Sequence, residues 1–144
     1  MLVSQILKSK SDDGVTTVPP GTTVAKAAEI LSSRRIGALI VSVDGKTVEG
    51  IVSERDIVRE LGRRGAICLP DSVQAIMTTK VVSCLRTDRT AGVLRMMTDG
   101  RFRHMPVMEG DQMVGLISIG DVVKARLMEL AAEQDALEGM IKGF

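Results

Sequence analysis

Two short motifs in the chain pair a serine with an aspartate three residues later. Ser53 and Asp56 lie in the segment GIVSERDIV, and Ser118 and Asp121 lie in GLISIGDVV. In both segments an apolar run typical of a strand leads through the motif into an apolar run typical of a helix. Each pair therefore predicts chemistry at a strand-to-helix junction.

This spacing has two interpretations. A serine at the N-cap and an acidic residue three positions later form a capping box, in which each side chain accepts a hydrogen bond from the backbone N–H of the other residue. The same junction also suits a nucleotide, because the positive end of a helix attracts phosphate and a carboxylate accepts hydrogen bonds from two adjacent ribose hydroxyls. The spacing alone leaves both interpretations open.

The two motifs belong to a duplicated unit. Residues 50–61 (GIVSERDIVREL) recur as residues 115–127 (GLISIGDVVKARL), and the Gly, Ser and Asp of the two copies each lie 65 positions apart. Upstream, an apolar face with helical spacing predicts a helix that begins after Thr22 or Thr23 as its N-cap. The residues of that face are Val24, Ala27, Ala28 and Leu31, and their counterparts in the second copy are Thr90, Val93, Leu94 and Met97.

The remaining elements are also present twice. Each copy predicts a hairpin, because a strand-like run is followed by an acidic-Gly turn and then by the strand that enters the motif. A short apolar helix pattern precedes each copy. The predicted order is therefore short helix, strand, helix, two strands, helix. These assignments rest on the strands 36–41 and 102–107, the turns Asp44-Gly45 and Glu109-Gly110, and the leading segments with Val3, Ile6 and Leu7 and with Val73, Ile76 and Met77.

The elements predict an α/β (α+β) fold of two pseudo-symmetric repeats, each a small three-stranded sheet with flanking helices. One such repeat alone would bury too little surface for a stable core, so we expect the two repeats to pack sheet to sheet. Residues 1–70 form the first repeat with its linker, residues 71–130 the second repeat, and residues 131–144 a C-terminal helical tail. Residues 8–14 are an insertion in the first copy and predict a polar loop without a function of its own.

The final helix pattern continues far beyond the second motif. Leu127, Leu130, Leu137 and Ile141 follow an alternating spacing that would form a seam for a partner helix. The alternative is that this helix only covers the core of its own repeat.

The composition excludes several classes of protein. The chain has 144 residues, 44% of them hydrophobic, and its 19 basic and 18 acidic residues leave a net charge of +1. A protein that binds nucleic acid mainly through phosphate would be clearly basic, and two Phe with no Trp or Tyr offer little for base stacking. No apolar run is long enough to span a bilayer and no signal peptide is evident, so we expect a cytoplasmic protein with neither nucleic acid nor membrane as a partner.

Reactive side chains are too few for an enzyme. Cys68, Cys84 and the single histidine, His104, cannot supply the ligands of a structural zinc site. Cys84 lies in a strand-like run, which is typical of a small buried thiol. The sequence contains no G-x-S-x-G or P-loop string and no nucleophile paired with a base, so we predict no catalytic residues and no metal site.

The doubled Gly-h-h-Ser-x-x-Asp-h motif (h, apolar), with the strand RFRHMPV before its second copy, resembles a tandem pair of cystathionine β-synthase (CBS) domains, also called a Bateman module. The resemblance covers about residues 1–130. It implies a regulatory or sensor module that binds adenine nucleotides in two clefts between the paired domains. Such a module acts through conformational change or by regulating a partner.

The resemblance also implies which residues form the clefts. The two aspartates would hold ribose hydroxyls, and the two serines would lie nearer the phosphates. Adenine would lie against the repeat opposite to each aspartate. The resemblance implies that Ser53 and Asp56 form one cleft with Val82 and Phe102. The other cleft would consist of Ser118 and Asp121 with Thr16, Ile36 and Gly37.

Basic side chains make the two implied clefts chemically unequal. Arg103 and His104 stand where the family often carries basic residues that reach phosphate, whereas Gly37 and Ala38 are equivalent in the first copy. Outside the family pattern, His104 would be a structural residue of its strand. Arg55 inside the first motif would either stay in solvent or swing to a phosphate.

The ligand implied by the resemblance is an adenine nucleotide, with AMP first, ATP, ADP or NAD(H) as alternatives, and no metal requirement. We expect a homodimer, since CBS pairs commonly form flat dimers through their helices, and a regulated protein as a further partner. The alternative function is a dimeric structural or interaction protein with non-functional nucleotide clefts. The presence of both aspartates favours nucleotide binding.

Overall fold

The computed structural model describes residues 1–10 and 15–142 of the chain. Their order of elements confirms the predicted repeat, although the leading segment of the second copy forms only a 3-10 turn. A further 3-10 turn follows the first motif helix. The helices are α1 (Val3–Ser9), α2 (Val24–Arg34), α3 (Glu54–Arg64), α4 (Thr90–Gly100) and α5 (Ile119–Lys142), and the 3-10 turns are Gly65–Cys68 and Val73–Ala75. The strands are β1 (Thr17–Val18), β2 (Ala38–Val41), β3 (Gly50–Ser53), β4 (Cys84–Leu85), β5 (His104–Glu109) and β6 (Gln112–Ser118).

Each copy forms one three-stranded sheet with flanking helices, which confirms the predicted mixed α/β fold. In the first sheet, β1 is parallel to β2 and β2 is antiparallel to β3. The second sheet has the order β4-β5-β6, with β4 parallel to β5. Both predicted hairpin turns contain a glycine with positive φ, 80° at Gly45 and 62° at Gly110, a conformation that glycine adopts without steric cost.

The chain divides into two compact units. The Asp56 unit contains the first sheet, α2, α3 and both 3-10 turns, while the Asp121 unit contains α1, α4, α5 and most of the second sheet. Each leading segment thus folds with the other copy of the duplicated sequence. The domain assignment to residues 1–70, 71–130 and 131–144 describes the sequence repeats and stays a prediction.

The repeated glycine of each motif explains this packing of the leading segments. A Cβ atom at Gly50 would lie 2.5 Å from Met77 Sδ and 2.9 Å from the carbonyl oxygen of Thr78. At Gly115 it would lie 2.6 Å from a methyl carbon of Leu7. These distances are too short for a real side chain, so glycine is what lets each leading segment approach the motif strand.

Apolar side chains at the predicted spacings form the core of each unit. Thr23 is the N-cap of α2, as predicted, and its hydroxyl accepts the Lys26 N–H at 3.1 Å. The core cluster of the Asp56 unit consists of Val18, Val24, Ala27, Leu31, Leu39, Val41, Val52, Ile57 and Val73. Buried apolar residues of the Asp121 unit are Val3, Ile6, Cys84, Val93, Met97, Met105, Val107, Ile117, Val122 and Ala125.

The predicted polar loop at residues 8–14 is wrong at its start. Lys8 and Ser9 complete the last turn of α1, and Lys10 is the C-cap of that helix. The remainder of the predicted loop, residues 11–14, lies outside the described residues.

Within residues 1–10 and 15–142, no helix is long and apolar enough to cross a bilayer. In the same part of the chain, no group of three or more His, Cys, Asp or Glu side chains is placed to hold a metal ion. The cytoplasmic location expected from the sequence stays a prediction.

Candidate functional site

Both Ser-x-x-Asp motifs form capping boxes, at the N-termini of α3 and α5. The Ser53 N–H donates to Asp56 Oδ2 at 2.8 Å, and the Asp56 N–H donates to Ser53 Oγ at 3.3 Å. The corresponding distances between Ser118 and Asp121 are 2.9 and 3.1 Å. The capping interpretation is therefore confirmed, and it holds each carboxylate at the positive end of a helix, where negative charge is favourable.

The junctions keep few backbone donors for an anion. The first helical N–H, at Glu54, donates to the Gly37 carbonyl at 3.0 Å, and the equivalent bond from Ile119 to Arg103 is 2.8 Å. The third helical N–H belongs to the capping box, so the second helical amide of each junction is the one that these bonds leave for an anion. These two amides belong to Arg55 and Gly120.

The carboxylate of Asp56 is buried and accepts hydrogen bonds at both of its oxygens. Its Oδ2 also accepts the Ser53 hydroxyl at 3.1 Å. Its Oδ1 accepts a guanidinium N–H of Arg59, which lies three residues further along α3. The side chain of Asp56 is 9% exposed and that of Arg59 is 59% exposed. The carboxylate therefore has its cation on its solvent side.

The carboxylate of Asp121 pairs with a cation from a distant part of the chain. Lys10 Nζ donates to Asp121 Oδ2 at 2.9 Å and to the Leu116 carbonyl at 2.7 Å. Burial on its own would raise the pKa of Asp121, but the hydrogen bonds from the Ser118 N–H and the Lys10 ammonium outweigh it and hold the pKa below its usual value. Asp121 is therefore a carboxylate at neutral pH.

Both cations were missed by the sequence analysis. Arg59 follows its aspartate by three residues, which is a local signal for a pair on one helix face. Lys10 carries a weaker signal, because Lys80 stands at the equivalent position of the second leading segment, 70 residues later. Lys80 itself is exposed and forms no ion pair with any described residue.

Five other predicted residues lie in the unit that contains Asp56. Thr16 precedes β1, and its hydroxyl accepts a hydrogen bond from Arg34 at 3.2 Å. Ile36 and Gly37 are half-buried just before β2, and the Gly37 carbonyl accepts a hydrogen bond from the Glu54 N–H at the start of α3. Arg55 and Val82 are exposed. Together with Ser53 and Asp56, these residues all belong to the Asp56 unit.

The other predicted residues lie in the Asp121 unit with Ser118 and Asp121. Phe102 packs its ring against Gly100, at the end of α4. Arg103 is exposed, and its carbonyl accepts a hydrogen bond from the Ile119 N–H at the start of α5. His104 is half-buried and begins β5. The implied pairing of each aspartate with adenine contacts from the opposite repeat stays a prediction.

The two cysteines are free and buried. Burial, followed by the nearby negative charge of Asp88, raises the pKa of Cys84 to about 12. The prediction of a small buried thiol at Cys84 is thus confirmed, and that thiol stays protonated at neutral pH.

The sequence model of the CBS domain family matches residues 3–63 and 73–128. A CBS-domain containing protein from Agrobacterium tumefaciens is 43% identical, and its solved structure matches with a TM-score of 0.82 over 88% of this chain and 99% of its own. A CBS domain protein from Pyrobaculum aerophilum, solved in complex with AMP, is 26% identical with a TM-score of 0.78, over 92% of this chain and 99% of its own.

A curated relative, the mitochondrial CBS domain-containing protein CBSX3 of Arabidopsis thaliana, is 32% identical over 98% of this chain and 72% of its own length. The two segments matched by the family model cover most of the chain, and each contains one Ser-x-x-Asp motif with its strand and helix. The chain belongs to the CBS domain family and carries two CBS domains.

Proposed function

We propose that the protein is a regulatory module that binds adenine nucleotides and holds the ribose with Asp56 and Asp121. The observation that carries the proposal is the equivalent placement of the two carboxylates, each fixed at a helix N-terminus by the N–H of its own serine. A carboxylate oriented in this way accepts hydrogen bonds from two adjacent ribose hydroxyls. The Pyrobaculum aerophilum relative, solved with AMP, supports an adenine nucleotide as the ligand.

AMP is the first candidate among the adenine nucleotides. Each junction leaves the second helical amide, at Arg55 or Gly120, outside the bonds that fix its first and third amides, and such a group suits one phosphate. The exposed Arg103 adds a cation in the Asp121 unit, and Arg55 adds one in the Asp56 unit. ATP, ADP and NAD(H) contain the same adenosine and are the alternatives that direct titration separates.

We propose further that the module regulates and does not catalyse. Its aspartates are held in capping boxes, and its most strongly perturbed thiol, at Cys84, is buried and protonated. A bound nucleotide would shift a conformational equilibrium by the difference between its affinities for the two states. A regulated protein partner would read that shift.

Self-association through α5 is the proposed route to a homodimer. Val122 and Ala125 at the start of α5 are buried. The seam residues that follow are between 45% and 83% exposed, so they do not cover the core of their own unit. These residues are Leu127, Leu130, Leu137 and Ile141.

Light scattering on charged variants tests the dimer. Leu130→Glu with Leu137→Glu would place two carboxylates in the seam, and we expect the dimer mass to fall to that of a monomer because burying unpaired charge is costly. Gln112→Glu, an exposed position on β6, is the control that adds charge elsewhere. A parent protein that is monomeric at working concentration excludes the seam as a dimer interface.

Calorimetric titration with AMP, ADP, ATP and NAD(H) tests the ligand. Asp121→Asn or Asp56→Asn should weaken its own site by about 1–3 kcal/mol, because a ribose hydroxyl loses a charged acceptor. Asp99→Asn on α4, an exposed aspartate, is the matched control. The proposal fails if no adenine nucleotide binds the parent, or if all three variants bind with the affinity of the parent.

The ultraviolet spectrum offers a second test. With no Trp or Tyr, the protein itself absorbs very weakly in the near ultraviolet, so a bound adenine would dominate the absorbance there. A band that copurifies with the protein and is released as a small molecule on denaturation would identify the nucleotide by chromatography. Arg103→Ala should reduce that band more than Arg34→Ala does, if Arg103 contacts phosphate.

A further inference from the structure

We infer that Lys10 is a specificity-determining residue of the Asp121 site, where it makes the site prefer an anionic nucleotide to the neutral nucleoside. The inference rests on the proposed function, since it concerns the same carboxylate. Its basis is a bridge in which the Lys10 ammonium joins Asp121 Oδ2 and the Leu116 carbonyl.

The first step concerns the hydrogen-bonding capacity of the carboxylate. Each oxygen of an ionised carboxylate accepts about two hydrogen bonds. Asp121 Oδ2 already accepts the Ser118 N–H at 2.9 Å and Lys10 Nζ at 2.9 Å. A ribose that bonds both carboxylate oxygens therefore has to displace one of these donors.

The donor that yields is Lys10. The Ser118 N–H belongs to the backbone at the end of β6 and is fixed by the capping box. The ammonium of Lys10 ends a flexible side chain. The Lys10 and Asp121 side chains are 22% and 27% exposed, so water and ligand reach the pair. Exchange at Oδ2 is thus a side-chain rotation that leaves the capping bond intact.

The second step concerns charge. When ribose displaces Lys10, the ammonium loses its anionic partner and the carboxylate keeps only neutral donors. A ligand with a phosphate supplies a new anion for Lys10, whereas adenosine supplies none. The exchange is therefore close to neutral for a nucleotide and unfavourable for a nucleoside, and charge-assisted hydrogen bonds are the ones whose loss matters most.

The second leading segment provides a matched control. Lys80 stands at the position equivalent to Lys10, is exposed, and forms no ion pair with any residue of the described ranges. Substituting Lys80 removes the same charge from the protein without opening a carboxylate pair. An effect of net charge alone would therefore be equal for the two lysines.

The experiment measures the affinity ratio of AMP to adenosine by calorimetry. Asp56→Asn serves as the background, so that the Asp121 site dominates the signal. In that background we expect Lys10→Met to lower the AMP-to-adenosine ratio by about fivefold, the size of a partly exposed charge pair. Adenosine should bind Lys10→Met at least as tightly as it binds the background protein. Lys10→Arg should retain the ratio, and Lys80→Met should leave it unchanged.

Each outcome of this experiment is decisive. A parallel loss of both ligands in Lys10→Met would show that Lys10 only supports the fold, and an unchanged ratio would show that it does not contact the phosphate; either result overturns the inference while the proposed function stands. If Lys10→Met does not fold by circular dichroism, Lys10→Gln replaces it. A parent protein that binds no adenine nucleotide overturns the proposed function and the inference with it.

Discussion

The two Ser-x-x-Asp junctions have the same backbone geometry and different cations. At the Asp56 junction the cation is Arg59, one turn along the same helix. At the Asp121 junction the cation is Lys10, 111 residues away in sequence. Neighbours on one helix face meet whenever the helix forms, whereas the Lys10 pair forms only once α1 packs in its unit. Duplication has thus kept the capping box and changed what balances its charge.

The glycines of the two motifs should give the largest difference between the junctions. Gly50→Ala should destabilise the protein more than Gly115→Ala, within the range of about 1–3 kcal/mol typical of overpacking. At Gly50 the new Cβ meets the Thr78 backbone carbonyl at 2.9 Å as well as Met77, but at Gly115 the three nearest atoms all belong to the flexible side chain of Leu7. Urea denaturation measures both effects.

Gly92→Ala on α4 is the control for the glycine substitutions. Among the described residues, no atom apart from its chain neighbours and its own helix backbone lies within 4 Å of a Cβ at that position, so the substitution should leave stability unchanged or raise it, as expected of alanine in a helix. Equal losses in Gly50→Ala and Gly115→Ala would contradict the distinction between a backbone contact and a side-chain contact.

The pH dependence of stability should expose the Lys10 pair. The folded-state pKa of Asp121 is lowered, so the pair stabilises the protein above the unfolded pKa of about 4 and loses its effect as the pH falls through the folded pKa. Lys10→Met should therefore lower the melting temperature at pH 7 and approach the parent in strong acid. The pair is partly exposed, so the loss at pH 7 should stay at or below about 1 kcal/mol.

Lys80→Met controls for the removal of a positive charge and should follow the parent at every pH. A melting-temperature difference between the parent and Lys10→Met that is the same at pH 7 and in strong acid would mean that Lys10 stabilises the fold through packing and not through its charge.

The smallest expected effect is at the other junction. Arg59→Met should lower the free energy of unfolding by about 0.3–0.5 kcal/mol, less than Lys10→Met does, when both variants are compared by urea denaturation. Arg59 is largely exposed and lies on the same helix as its partner. Asp56 also keeps two donors from Ser53. An equal or larger loss in Arg59→Met would contradict the ranking of the two pairs.

Local features of this fold were predictable from the sequence. The capping boxes and the Thr23 N-cap follow from residue spacing within one turn, and the strands and hairpins follow from apolar runs with Gly-containing turns. The exchange of the leading segments was not predictable, because a repeat in sequence does not say which copy a segment packs against. The contact between Leu7 and Gly115 shows that the first leading segment packs against the second copy.

The cation at Asp121 and the ends of two helices were also beyond sequence reasoning. The hydrogen bond from Lys10 to Asp121 depends on tertiary packing, and no local sequence pattern predicts it. Arg35 and Arg101 end α2 and α4 in the left-handed conformation, with φ of 54° and 57°. Glycine or asparagine is the usual residue there, so sequence rules for helix ends do not point to arginine.

A comparison of AMP with 2′-deoxy-AMP tests the central claim, that the motif aspartates hold the ribose hydroxyls, most directly. We predict that the parent binds AMP about tenfold more tightly, since a hydrogen bond to a charged group is worth at least about 1.4 kcal/mol. In the Asp56→Asn, Asp121→Asn double variant, the difference between the two ligands should shrink severalfold. If the double variant discriminates between them as strongly as the parent does, the aspartates do not read the ribose and serve only as helix caps.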